Sequence, residues 1–264
     1  MGSRILRAAL YGAPIGTLGG LIGLGGAEFR LPVLKAAFGY PTHQAVALNL
    51  AVSAFTLLGA LAIRVRVAPT APLVPLAPVL VALVAGAMLG AHRGAAYASR
   101  VSIARLEHLV LVLLVAIGVM LGAEALVPWE SAGVPGGLPL RLPLALVLGG
   151  AIGLVSSLLG VAGGELIIPT LVFVFGADIR TAGTASVLVS LPTVSVGLVR
   201  YVRARAVGGR EELTDLIVPM GLGSIVGAIV GGGLVPYVPG RALKLILGAI
   251  LIGSAIRIFR HPRH

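Results

Sequence analysis

Gly23-Leu24-Gly25-Gly26-Ala27-Glu28-Phe29-Arg30-Leu31-Pro32 returns later in the chain as Gly160-Val161-Ala162-Gly163-Gly164-Glu165-Leu166-Ile167-Ile168-Pro169. A shift of 137 residues places Gly23 on Gly160, Gly26 on Gly163, Glu28 on Glu165 and Pro32 on Pro169. Each copy is a glycine cluster, then a carboxylate, then a proline, set in strongly apolar sequence. Glycine-rich backbone beside a charge is costly in lipid unless protein or a water-filled cavity surrounds it. Two such places at matching positions of two halves point to a binding site built where the halves meet.

Outward from the two copies the same shift holds without a gap over most of each half. Gly12 falls on Gly149, Gly16 on Gly153, Phe38-Gly39 on Phe175-Gly176, Ser53 on Ser190, Arg66 on Arg203, Gly86 on Gly223 and Gly90 on Gly227. A chance apolar repeat would match leucine and valine, not Gly, Glu, Pro and Phe-Gly in register. Each half reads as five apolar segments. In the first they are Ile5–Leu24, the short Ala27–Gly39, Thr42–Ile63, Pro72–His92 and Leu106–Leu126. In the second they are Leu140–Leu159, the short Gly164–Gly176, Ile179–Val202, Leu213–Leu234 and Leu243–Phe259. About 20 apolar residues cross the hydrocarbon core, so the short segments suit re-entrant or half helices and the others are of spanning length. The expected organisation is a first repeat over 1–127, an extracytoplasmic linker over 128–139 and a second repeat over 140–264. The fold class is an all-α polytopic membrane protein, each repeat a broken or re-entrant helical hairpin plus three transmembrane helices.

Composition agrees. The chain of 264 residues is 58% hydrophobic and 11% charged, where a soluble domain carries about 25% charged residues. The net charge of +11 does not imply nucleic acid, because the basic residues fall between apolar runs and no stacking motif accompanies them. Cysteine is absent, which removes disulfides, thiolate metal sites and cysteine nucleophiles. Arg4 and Arg7 before an apolar run resemble a signal peptide. That run is long, lacks a clear small-residue cleavage site and has a counterpart at Leu140–Leu159, so it is read as part of the fold.

Charge also orients the chain. Arg4 and Arg7, then Arg93, Arg100 and Arg105, then Arg200, Arg203, Arg205 and Arg210, and finally Arg257, Arg260 and Arg263 mark cytoplasmic ends. The linker carries Glu124 and Glu130 and is placed outside, with Arg64, Arg66, Arg241 and Lys244 on that same face. Both termini inside and the linker outside require an odd number of crossings per half, hence inverted repeats. Four crossings per half, with parallel repeats, stays open, since charge counting is only a bias.

The chemistry-bearing residues cluster at the repeated motif. If each short helix starts at its glycines, free amides and the positive end of the helix dipole face the hairpin tip, and glycine lets an anion approach. Two tips would form a double cradle from Gly25, Gly26, Gly163 and Gly164. Close helix crossing is the alternative use of these glycines. Gly12/Gly16, Gly86/Gly90, Gly118/Gly122 and Gly223/Gly227 are assigned to helix packing alone. Glu28 and Glu165 lie in the first turn, either capping amides or binding a coupling proton. Arg30 aligns with Ile167. A cation there needs carbonyls, a carboxylate, a route to the surface or an oxyanion, and Glu28 is poorly placed to pair with it. Asn49 with Ser53, and Ser186 with Ser190, sit one turn apart in the third segments and offer neutral donors, with Thr184 nearby. Interhelical hydrogen bonds are the competing use. Gln44 and Thr181 are weaker candidates, and His43 and His92 read as interfacial.

The chain holds no GxxxxGK[ST] loop, HExxH or GxSxG motif, and its histidines are scattered. No nucleotide, catalytic residue, metal or cofactor is therefore expected. The bottom-up reading is a carrier built from two repeats around a small-anion site.

The doubled glycine–proline motif, with Pro32 and Pro169 and the small-residue start Ala182-Gly183-Thr184-Ala185-Ser186, resembles the TauE/SafE sulfite-exporter family over nearly the whole chain. Ala27 and Ala162 stand where the family pattern has glycine. The resemblance implies a secondary transporter of the bacterial inner membrane. Its substrates would be sulfur-containing anions such as sulfite, thiosulfate or the organosulfonate sulfoacetate. It also implies coupling to an ion gradient, with protons the expected ion and the lipid bilayer the setting. The rival readings are an anion channel, and from another class an intramembrane enzyme or an assembly factor for a membrane complex. Flux far above a carrier's turnover would favour the first, and stoichiometric co-purification without anion flux the assembly factor.

Overall fold

The computed structural model describes residues 2–68, 70–97, 103–127, 133–203 and 207–260. The readings at Glu130, Arg100, Arg205 and Arg263 lie outside these, as do the side chains of His43, Arg105, Arg257 and Arg260. Among the described residues there is no strand. The first half runs α1 (Gly2–Ile22), α2 (Ala27–Ala36), α3 (Thr42–Val67), α4 (Ala77–Tyr97) and α5 (Ile103–Leu126). The second runs α6 (Leu138–Leu159), α7 (Gly164–Pro169), α8 (Ile179–Arg203), α9 (Arg210–Glu212), α10 (Val218–Leu234) and α11 (Gly240–Arg260). A π-turn at Thr170–Val174 extends α7, and another at Leu213–Ile217 joins α9 to α10.

Six helices among the described residues are long and apolar enough to cross a membrane: Gly2–Ile22, Gln44–Val67, Ala77–Gly94, Leu138–Leu159, Ile179–Arg203 and Arg210–Leu234. The fold is an all-α polytopic membrane protein. At a rise of about 1.5 Å per residue, α2 and α7 reach only part of the way across a core of roughly 30 Å. Both are the short half helices expected from the sequence.

The halves interlock. α1 packs along α10, and its counterpart α6 packs along α4. The counterparts α3 and α8 pack on each other, as do α5 and α11. Each half thus lends its first helix to the other half's fourth. Glycine makes this possible. A Cβ on Gly12, Gly16 or Gly20 of α1 would strike the backbone of Met220, Ser224 or Ala228. One on Gly223, Gly227 or Gly231 would strike Ala9, Ala13 or Thr17. The second seam repeats the device, with Gly149 and Gly153 of α6 on Leu83 and Ala87, and Gly86 and Gly90 of α4 on Leu146 and Gly150. Lipid supplies no hydrophobic drive between helices, so such close backbone contact is what holds them. The packing role assigned to these glycine pairs fits at both seams. Gly118 likewise meets Gly248 and Ile252, but Gly122 faces open space.

The hairpin turns match residue for residue. Gly23 and Leu24 donate to the Gly19 carbonyl, and Gly160 and Val161 donate to that of Ser156. Gly26 and Gly163 cap their short helices in the left-handed region, at φ of 70° and 78°. That conformation costs an L side chain roughly 1–2 kcal/mol, which is why glycine recurs there.

At the end of the bundle assigned to the outside, Lys244 of α11 donates to Glu124 Oε1 of α5 at 2.7 Å. The sequence places both residues on that face. Glu124 is buried and its other oxygen has no partner. Lys244→Met is expected to cost about 2 kcal/mol, less than a fully buried pair because the lysine is partly exposed. Adding Glu124→Gln should recover most of that loss, and thermal unfolding of the three variants in detergent reads it.

Candidate substrate site

Arg30 is the organising side chain of the first half. It is completely buried, and α2 aims it at α3. Nη1 donates to Ser53 Oγ at 2.9 Å and Asn49 Oδ1 at 3.3 Å, and Nη2 donates to Thr56 Oγ1 at 2.8 Å and the Gly25 carbonyl at 3.2 Å. All four acceptors are neutral, and Glu28 forms no ion pair with it, as the two-residue spacing requires. Asn49 in turn donates through Nδ2 to the carbonyls of Ala27, 3.1 Å, and Gly160, 2.9 Å. That last bond ties the first half to the second half's hairpin.

In the second half Ile167 stands in Arg30's place, and the equivalent hydroxyls are left over. Ser186 and Ser190 are fully buried on α8, and neither Oγ has a hydrogen-bond partner among the described residues. Thr193, the counterpart of Thr56, bonds back to the Val189 carbonyl. A Cβ on Gly164 would lie 3.1 Å from Ser186 Oγ and 3.3 Å from the Gly23 carbonyl. The two tips therefore touch. A side chain on Gly25 would collide with Ala162 Cβ, and one on Gly23 with the backbone of Gly183. No side chain caps either short helix at Gly26 or Gly163.

The structure brings Gly25, Gly26, Arg30, Asn49 and Ser53 into one cluster and Gly163, Gly164 and Ser186 into an adjoining one. Ser190 lies one turn from Ser186. Thr184 is taken up elsewhere: its Oγ1 accepts from Arg64 Nη1 at 3.0 Å. Glu165 is buried with Oε1 unpartnered, and Glu28 keeps an unpartnered buried Oε2.

Arg64 corrects the sequence reading. Placed with Arg66 as a charge at the outer face, it is instead completely buried. Its Nε and Nη2 donate to the carbonyls of Gly20, 2.9 Å, and Leu21, 2.8 Å, at the C-terminal end of α1. A helix that ends buried among other helices leaves carbonyls no water can satisfy, and a guanidinium there meets both the carbonyls and the negative end of the dipole. The counterpart of Arg64 is Tyr201, whose hydroxyl meets the Ser157 carbonyl at 3.4 Å. Thr56 also went unread, although the 137-residue shift sets it on Thr193 one turn beyond Ser53.

The family model described as sulfite exporter TauE/SafE matches residues 2–121 and 141–264. The chain belongs to that family. Among its relatives by sequence, "Probable membrane transporter protein YdhB" of Bacillus subtilis is 27% identical over 246 residues, 92% of this chain and 94% of that protein. "Probable membrane transporter protein MJ0441" of Methanocaldococcus jannaschii is 28% identical over 123 residues, 44% of each chain. No solved structure matches significantly. This TauE/SafE chain is thus a multi-pass membrane protein of a transporter family. Ala162 supplies the methyl group that closes on Gly25 at the first tip.

Proposed function

We propose that this protein is a secondary active transporter of small sulfur-containing anions, sulfite or an organosulfonate such as sulfoacetate. It works in the bacterial inner membrane, is driven by protons, and has both termini in the cytoplasm. The observation that carries the reading is a pair of buried, unpartnered hydroxyls, Ser186 beside the junction of the two hairpin tips and Ser190 one turn along α8. A buried polar atom without a partner costs free energy, and an oxyanion would satisfy both donors at once. Arg30 holds the equivalent groups of the first half through Nη1 and Nη2, so it contributes its charge and one buried, unpartnered donor, Nε. Transport proceeds by alternating access around this junction, with 1–127 and 140–264 as inverted repeats and 128–139 as the outer linker.

The test is ligand-dependent thermal stability of the purified protein with sulfite, sulfate, thiosulfate, sulfoacetate, taurine and acetate. A true substrate at about 100 times its dissociation constant adds roughly 2.7 kcal/mol. Stabilisation confined to sulfite or sulfonates, with matching uptake into proteoliposomes, is expected. Absence of any shift and any flux would remove the anion-transport reading.

A further inference from the structure

Glu28 and Glu165 occupy equivalent positions in the two halves, yet their surroundings differ. Glu28 lines a cavity of about 490 Å³ between α1, α2 and α11, formed by Leu18, Phe29, Ile246, Ile250, Gly253 and Ser254 together with Ala249. The equivalent space in the second half lies between α6, α7 and α5. There α5 packs directly against α7, and Glu165 is 5% exposed.

The side chains account for the difference. The 137-residue shift sets Ala249, Gly253 and Ser254 of α11 on Val112, Ala116 and Ile117 of α5. The register is sound, since Val110 and Leu114 of α5 and their counterparts Leu247 and Leu251 of α11 are all buried. Small residues stand beside Glu28, and larger ones hold the equivalent positions of α5. The charged neighbours of Glu28 on its own helix are Arg30, turned onto α3, and Lys35 two turns away. Leu18 of α1 and the five α11 residues of the groove carry no titratable group, and α3 presents the neutral Asn49, Ser53 and Thr56 to Arg30.

We propose that Glu28, and not Glu165, takes up and releases the coupling proton, and that the groove between α1, α2 and α11 is the proton's route. This deepens the transport reading and rests on it. An anion at the adjoining tips and an ionised Glu28 repel, so loading the anion favours a protonated Glu28. Glu165 is buried on a helix that α5 packs against, and it keeps a fixed protonation state through the cycle.

Two measurements test this. The first needs no transport: the protein is treated with a hydrophobic carbodiimide, which attacks protonated carboxyl groups from the apolar phase, and the adducts are mapped by mass spectrometry. Modification of Glu28 that falls as pH rises, with Glu165 unmodified, is expected. The triple change Ala249→Val, Gly253→Ala and Ser254→Ile, which copies the second half, should suppress it while Glu28 remains. Equal labelling of both carboxylates, or none at Glu28, overturns the proposal. The second measurement uses sulfite in proteoliposomes. Glu28→Gln should lose accumulation driven by a proton gradient yet keep anion exchange, and Glu165→Gln should keep both. Retained accumulation in Glu28→Gln, or its loss in Glu165→Gln alone, overturns it. No sulfite or sulfonate flux from the unaltered protein would strike the transport reading, while the labelling still decides which carboxylate takes a proton through the groove.

Discussion

Changing Ser186 and Ser190 together to alanine is expected to abolish anion binding and transport while leaving the protein at least as stable as before. The two hydroxyls have no partner, so their removal breaks no internal bond and relieves part of their desolvation cost. To an anion each would give a charge-assisted hydrogen bond of about 1.5–3 kcal/mol. Loss of both weakens binding by roughly two to four powers of ten. Ser53→Ala is the contrast, because Ser53 accepts from Arg30 at 2.9 Å. That change takes an acceptor from a buried cation, so stability should fall. Proteoliposome uptake beside thermal unfolding separates the two patterns. Normal uptake by the Ser186/Ser190 double variant would show that these hydroxyls do not hold substrate.

The second large effect lies far from the site. Gly227→Val should prevent α1 and α10 from closing. The added Cβ would land on the Ala13 carbonyl, and Thr17 N would be 2.8 Å away. Both are backbone atoms of a helix, which cannot swing aside as a flexible side chain does. Overpacking a core costs about 1–3 kcal/mol when side chains can shift, and here the whole helix must move, so the loss should exceed that range. Gly233→Val on the same helix is the control, since nothing lies within 4 Å of its Cβ. Size-exclusion profiles and melting in detergent should show the first variant aggregated or strongly destabilised and the second near the parent. Equal behaviour would mean that the seam is looser than drawn.

Much of this was readable in advance because the information is local. Apolar length announces a span, and a glycine required at positive φ announces a turn wherever it recurs in register. Arg30 stood out because a charge beside glycines in an apolar run has few places to go. Arg64 did not, because it follows an apolar run in the way a loop cation does. Its burial depends on where α1 stops, a fact residing forty residues earlier in the chain. That Ser186 and Ser190 are free while Asn49 and Ser53 are engaged followed from the single exchange of Arg30 for Ile167, but only once the guanidinium's reach was known. The pairing of α1 with α10 rather than with a neighbour in its own half is a long-range choice that glycine spacing permits without naming the partner. The groove beside Glu28 arises from small residues whose effect appears only against the helix facing them.

The interlocked seams also set a problem of timing. Ser224 bonds the Gly12 carbonyl across 212 residues, so α1 enters the bilayer well before its mate α10 is made. Until then its glycine stripe faces lipid, with no neighbour offering backbone at that distance. α6 has no such delay, because α4 is already in place when it emerges. The second seam can therefore close early, the first waits for α10, and α11 follows to pack on α5.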